Sequence, residues 1–216
     1  MTKIKFCGLC RPEDAAFAEK LRADYGGVIL TDSPRKVSTG DARRIFDAAP
    51  SLKRVGVVGR EATGRILDSA REAELDVLQL HAHLGQDEIG RIRQEFEGSL
   101  WTVMAIDSET GKVSPDWPDL ADLCDALLLD TSVKGHSGGT GMPFNWAAAA
   151  ADIREIEREI PVVLAGGLKP GNVAAAIEQL RPWAVDVSSG VEEAPGVKSH
   201  ELMSAFAKAV RSASIV

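Results

Sequence analysis

The chain has 216 residues, 44% of them hydrophobic, and a formal net charge of −7 with both signs mixed along the sequence. That is enough apolar material for a sizeable core, and the lack of a basic run argues against nucleic acid or an anionic membrane as partner. With no signal-peptide-like stretch, no apolar run long enough to span a bilayer, and only three cysteines, the expectation is a cytoplasmic protein without a disulfide framework.

The predicted elements alternate from the start. Ile4 to Cys7 reads as a short strand, and Pro12-Glu13-Asp14 opens a helix with Phe17 and Leu21 on one face. A strand from Gly27 to Thr31 leads to a helix carrying Ala42, Ile45, Phe46 and Ala49 on one face, with Ser38 and Asp41 as its capping pair. Strands follow at Arg54 to Val58 and Val77 to Leu80, then a helical stripe of Ile89, Ile92 and Phe96. Trp101 to Ile106 is a fifth strand, followed by a short helix around Asp119 to Leu123. Ala126 to Asp130, Pro161 to Ala165 and Ala184 to Val187 complete the strands. Val173, Ala176, Ile177 and Leu180 form a late helical stripe, and Leu202, Phe206 and Val210 the last. The strands are short and apolar, as strands covered on both faces should be.

Eight strand–helix units without a composition break predict one (β/α)8 barrel domain over residues 1–216. A doubly wound open sheet is the alternative, but no G-x-G-x-x-G follows the first strand. Two glycine-bearing loops favour the barrel. One, at Gly166-Gly167, follows the seventh strand, and the other, Ser188-Ser189-Gly190, follows the eighth. Glycine permits close backbone approach, and free N–H groups attract an anion. The pair predicts a phosphate site.

Reactive side chains are sought at the carboxyl ends of the strands, where barrels place their active sites. Cys7 closes the first strand, His81 the fourth and Asp130 the sixth, while Asp186 lies inside the eighth. A lone cysteine is most often a small core residue, but Cys7 beside Gly8 sits at the working face. Cys7-Gly-Leu-Cys10 also has the C-x-x-C spacing of redox proteins, on a chain patterned wrongly for a thioredoxin. Asp130 ends a run of three leucines, where a carboxylate costs free energy unless paired or solvated. Asp186 reads as a structural group bonding loop amides. His81-Ala-His83 has the look of a metallohydrolase pair, but His136 and His200 are the only other histidines. The expectation is therefore no metal, with His81 a polar wall and His83 facing solvent. Arg35, in Ser33-Pro-Arg35, is either a surface charge or a fork for a carboxylate. The loop from Thr131 to Gly141, with four glycines, is either a linker or a lid.

Several segments together resemble the phosphoribosylanthranilate isomerase family of tryptophan biosynthesis. They are Lys5 to Leu9, Ser33 to Ser38, Val55 to Val57, Leu78 to His81, Leu129 to Thr131, Gly138 to Trp146, Leu164 to Asn172, Asp186 to Glu192 and Pro195 to Lys198. The chain departs from the family's usual pattern at Ala82-His83, Val58 and Lys169. The resemblance implies an aldose–ketose isomerase that needs no cofactor and acts on a small phosphorylated substrate. By that likeness Asp130 is the acid and Cys7 the base, a coupled pair giving a bell-shaped pH profile. Arg35 would hold the anthranilate carboxylate and the loops at 166–167 and 188–190 the phosphate, with His81 and Asp186 also at the substrate. Two rivals remain. One is an Amadori isomerase of the histidine-pathway type, which Cys7 opposes. The other is a silent barrel that binds phosphorylated metabolites, which Cys7 and Asp130 together oppose. The expected state is a monomer.

Overall fold

Eight short apolar strands pair in parallel and in sequence order, and the last closes on the first. In the computed structural model, which describes residues 1–82, 84–107, 110–130 and 145–213, the barrel order is β1-β2-β3-β4-β5-β6-β7-β8. The strands are β1 (Lys3–Phe6), β2 (Tyr25–Ile29), β3 (Lys53–Val58), β4 (Val77–Leu80), β5 (Ser99–Ala105), β6 (Ala126–Asp130), β7 (Val162–Leu164) and β8 (Ala184–Val187). Each is followed by a helix: α1 (Pro12–Lys20), α2 (Thr39–Asp47), α3 (Thr63–Glu72), α4 (Gln86–Glu95), α5 (Trp117–Ala121), α6 (Trp146–Ile156), α7 (Val173–Leu180) and α8 (His200–Ala213). Between β8 and α8 a small hairpin, β9 (Glu192–Ala194) with β10 (Val197–Lys198), extends the eighth loop. This is the (β/α)8 barrel that the strand spacing predicts.

Local chemistry explains the boundaries. Pro12 occupies the first turn of α1, where its missing N–H costs nothing. The Ser38 side chain accepts the Asp41 backbone N–H and caps α2. α5 has only five residues, as its weak pattern foretold. Phe17 and Leu21 pack on the core as expected, and only the last stripe needs correction. In α1 the buried small residues are Ala15 and Ala18, while Phe17 is half-buried and stacks on His200 with ring centroids 4.0 Å apart. In α8 the buried face is Met203, Phe206, Ala207 and Val210, and Leu202 is exposed. That set follows the i, i+3, i+4, i+7 rule, and Leu202 lies off it.

The core divides into two layers. Outward strand residues such as Phe6, Leu78, Leu80 and Leu127 pack against the helices. Inside the barrel, Tyr25, Val55, Val77, Trp101, Ala126 and Ala184 pack together with Trp183. The Tyr25 and Trp101 rings meet edge to face at 4.9 Å, and Trp101 meets Trp183 at 5.8 Å. These aromatics plug the end of the barrel where the strands begin. The polar inward residues are left to the other end.

Candidate active site

Cys7 follows β1 directly, and its N–H donates to the Val187 carbonyl at 2.9 Å, tying it to the end of β8. It is buried, and burial pushes its thiol above the ordinary value, with Lys5 pulling in the opposite direction. Lys5 is two residues earlier, so strand alternation puts both side chains inside the barrel. The sequence pattern gave Lys5 no role, yet its side chain is fully buried. It pairs in register with Asp186 across β1 and β8, with Nζ 3.0 Å from Asp186 Oδ2. The expectation for Asp186 is thereby corrected. It partners a buried lysine from the neighbouring strand rather than loop amides, because its position in β8 faces the barrel axis.

His81 follows β4, held by its N–H to the Val58 carbonyl at 2.8 Å. Burial lowers its affinity for a proton, and the charge of Asp130 works against that loss. Asp130 is the last residue of β6, opposite Ala105 of β5, and is half-buried rather than sealed. Among the described residues, buried side-chain polar atoms without a hydrogen-bond partner are Lys5 Nζ, Gln79 Oε1, His81 Nδ1, Asp186 Oδ1, Ser188 Oγ and Trp146 Nε1. All but the last belong to β1, β4 and β8 or to residues just past their carboxyl ends. Native interiors seldom leave such groups unpaired except where they serve a ligand or chemistry.

Arg35 lies on the loop after β2. Its guanidinium forks onto Glu192 through Nε at 2.9 and 3.0 Å and Nη2 at 2.7 Å. Lys198, also fully buried, donates to the same carboxylate at 2.8 Å and to the Ser188 carbonyl at 3.1 Å. Burial opposes the charge on Glu192, but Arg35 and Lys198 outweigh it and hold its carboxyl below the ordinary range. Two cations share one anion, which leaves one positive charge at the rim. Glu192 and Lys198 sit in the segments that carry the family likeness, but nothing in their sequence context signals burial.

The two glycine loops adjoin. Gly166 and Gly167 both have positive φ, +85° and +66°, which L side chains rarely adopt. Asn172 clasps this turn, donating to the Gly167 carbonyl at 3.0 Å and accepting the Lys169 N–H at 2.8 Å. After β8, Ser189–Val191 form one 3-10 turn. A Cβ at Gly190 would stand 1.9 Å from the Leu168 carbonyl oxygen. Gly190 is therefore required by packing of one loop on the other, beyond any approach to an anion.

The thiols of Cys7, Cys10 and Cys124 are all free, and Cys10 donates to the Arg35 carbonyl at 3.4 Å. His200 opens α8 and pairs with buried Asp14 at 3.0 Å, away from His81. Among the described residues no group of three or more His, Cys, Asp or Glu could hold a metal ion. His83, His136 and the glycine-rich segment 131–144 lie outside the described residues.

A closed parallel barrel with a thiol, carboxylates, a guanidinium and unpaired polar groups gathered at the carboxyl ends of its strands is a (β/α)8-barrel enzyme. The sequence profile described as "N-(5′phosphoribosyl)anthranilate (PRA) isomerase" matches residues 4–209, and the chain belongs to that family. It is 36% identical over 217 residues to an N-(5′-phosphoribosyl)anthranilate isomerase of Haloferax volcanii, covering 99% of this chain and 95% of the other. Its backbone resembles the crystal structure of phosphoribosyl anthranilate isomerase from Thermotoga maritima, with a TM-score of 0.85 and 34% identity over 98% of this chain and 100% of that one. A further solved isomerase, in complex with reduced 1-(o-carboxyphenylamino)-1-deoxyribulose 5-phosphate, gives a TM-score of 0.81 and 32% identity, again covering 98% and 100%.

Proposed function

We propose that the protein converts N-(5′-phosphoribosyl)anthranilate to 1-(2-carboxyphenylamino)-1-deoxyribulose 5-phosphate, an Amadori rearrangement in tryptophan biosynthesis. The observation that carries this reading is the match to the isomerase family along nearly the whole chain. Asp130 protonates the furanose ring oxygen, and the ring opens to a Schiff base. Cys7, as thiolate, takes the C2′ proton, and the enolamine tautomerises to the ketone. The two reacting groups stand at the ends of β1 and β6, on separate arcs of one mouth, which suits an acid and a base acting at different atoms of one sugar. Loss of the substrate's fluorescence on adding purified protein tests the reading. A flat trace with substrate that a known isomerase consumes would reject it.

Arg35 receives the anthranilate carboxylate in this scheme, with Glu192 holding its fork in place. Glu192→Gln is expected to raise the Michaelis constant about tenfold, the scale of one charged hydrogen bond, with a smaller change in turnover. It should also destabilise the fold, since buried Lys198 and half-buried Arg35 lose their shared anion. Steady-state kinetics and urea unfolding read the two effects, and an unchanged Michaelis constant would release Arg35 from this role.

The loops at 166–167 and 188–190 receive the phosphate through backbone N–H groups. Inorganic phosphate and sulfate should compete with substrate, and Gly166→Val should raise the Michaelis constant strongly by straining the positive-φ turn. Unchanged affinity in a folded Gly166→Val protein would count against the site. Gly190→Val is the poorer probe, because its side chain would collide with Leu168 and distort both loops.

The unpaired thiols suit a reducing compartment, and the reading places the reaction in the cytoplasm. A monomer is the assembly that fits best. Among the described residues, Met1 and Leu202 are the exposed large hydrophobics, too few for a stable dimer face. Sedimentation equilibrium should return a mass near 23.0 kDa, and twice that mass would overturn the expectation.

A further inference from the structure

The centre of the barrel holds a charge pair that the reaction scheme leaves idle. Lys5 is fully buried, against a carboxylate that is nearly so. Placing a lysine and an aspartate in a barrel interior strips both ions of water before their attraction is counted, and apolar residues would fill the space as well. The pair therefore needs a purpose beyond packing. Its surroundings indicate one. Lys5 and Cys7 project from the same face of β1, and a methyl group built on Gly27 of β2 would touch both, at 3.0 Å from Lys5 Cε and 3.1 Å from Cys7 Sγ. The ammonium lies 3.0 Å from Asp186 Oδ2, and the negative charges that act on it most are Asp186 and Cys7. It is fixed in place with N–H groups to offer.

We propose that Lys5 is a positioning residue for Cys7: anchored by Asp186 from β8, its ammonium sits beneath the sulfur and stabilises it as the anion that acts as base. This deepens, and rests on, the reading of Cys7 as the base. The step balances simply. The thiol proton leaves to solvent, the electron pair stays on sulfur, and that pair later takes the C2′ proton. Lys5 keeps its own protons throughout.

The charges around the pair support this arrangement. Burial works against the charge on Lys5, but Asp186 and then Cys7 outweigh it and hold the ammonium above its ordinary value, so it stays charged. On the sulfur, burial favours the neutral thiol. Lys5 is the largest opposing influence, Asp186 works with burial, and Lys198 assists Lys5. Arg35 at the rim also feels the sulfur. From β4, His81 faces Lys5 and Asp186, with Asp130 beside it.

The test titrates Cys7 in a Cys10→Ser/Cys124→Ser background by the ultraviolet absorbance of its thiolate, with the pH dependence of kcat/KM measured alongside. Lys5→Met is expected to raise the titration midpoint by about one pH unit or more, the effect of losing a close opposite charge. Asp186→Asn should lower it. The acidic limb of kcat/KM should move with each midpoint, a response that simple loosening of the barrel would not give in opposite directions. Lys5→Met leaves a buried carboxylate unpaired, so Lys5→Met/Asp186→Asn, which removes both charges, guards against misfolding. Its midpoint should also lie above that of the parent. A parent-like midpoint in the double variant, or in folded Lys5→Met, would overturn the proposal. Wild-type turnover in Cys7→Ala would instead reject the base assignment, whatever Lys5 does.

Discussion

Cys7→Ala is expected to turn over about 10²–10⁴-fold more slowly than the parent, the usual worth of a positioned base. The thiol is buried against β2 and the end of β8, so alanine fits the space and leaves the backbone bond to Val187 intact. Substrate affinity should therefore hold while the chemical step fails. Cys7→Ser should fall nearly as far, because a hydroxyl gives up its proton far less readily than a thiol. The pH dependence has a definite sign. Burial raises the thiol above its ordinary value, so the thiolate fraction, and turnover with it, should climb as pH rises through neutrality. Cys10→Ser should be nearly silent. Full activity in Cys7→Ala would end the assignment, and loss of activity in Cys10→Ser would revive a redox role for the C-x-x-C spacing.

Asp130→Asn should lose turnover on a similar scale, with binding retained. The amide keeps the shape of the carboxyl at the end of β6 but cannot protonate the ring oxygen. Fluorescence titration with a product analogue, beside steady-state kinetics, separates the two effects. Normal turnover, or weakened binding alone, would make Asp130 a contact residue and shift the search for the acid to Asp186. The coupling expected between Asp130 and Cys7 is read from the pH profile of turnover. The charges bearing most on the sulfur are Lys5, Asp186 and Lys198, while Asp130 acts on His81 across β5. Coupling of the two groups would move the base limb of that profile in Asp130→Asn, and Lys5→Met should move it as well.

Periodicity and turn chemistry exposed most of the architecture. Runs such as Val77 to Leu80 and Ala126 to Asp130 are apolar because helices cover one side and the barrel interior the other, and their bounds match the strands found. Cys7, His81 and Asp130 were legible because a reactive side chain ending an apolar run has few other reasons to be there. Lys5, Glu192 and Lys198 were harder to see. A lysine in a sequence reads as a solvated charge, and burial of such a group depends on partners brought from distant strands. Lys5 meets Asp186, and Glu192 meets both Arg35 and Lys198. One signal was present for Lys5. In a strand with no solvent face, a residue two before an inward cysteine must also point inward. The misplaced Leu202 has another cause. A helix beginning at His200 offers several apolar residues, and packing against the barrel selected Met203.

The aromatic plug of Tyr25, Trp101 and Trp183 has a consequence for traffic. The packed interior makes the mouth at the other end the doorway for substrate and product. Whatever enters must back out the same way, and two molecules cannot pass each other on the threshold. The spent molecule has to clear the doorway before the next can arrive, so solvent viscosity should slow arrival and departure alike.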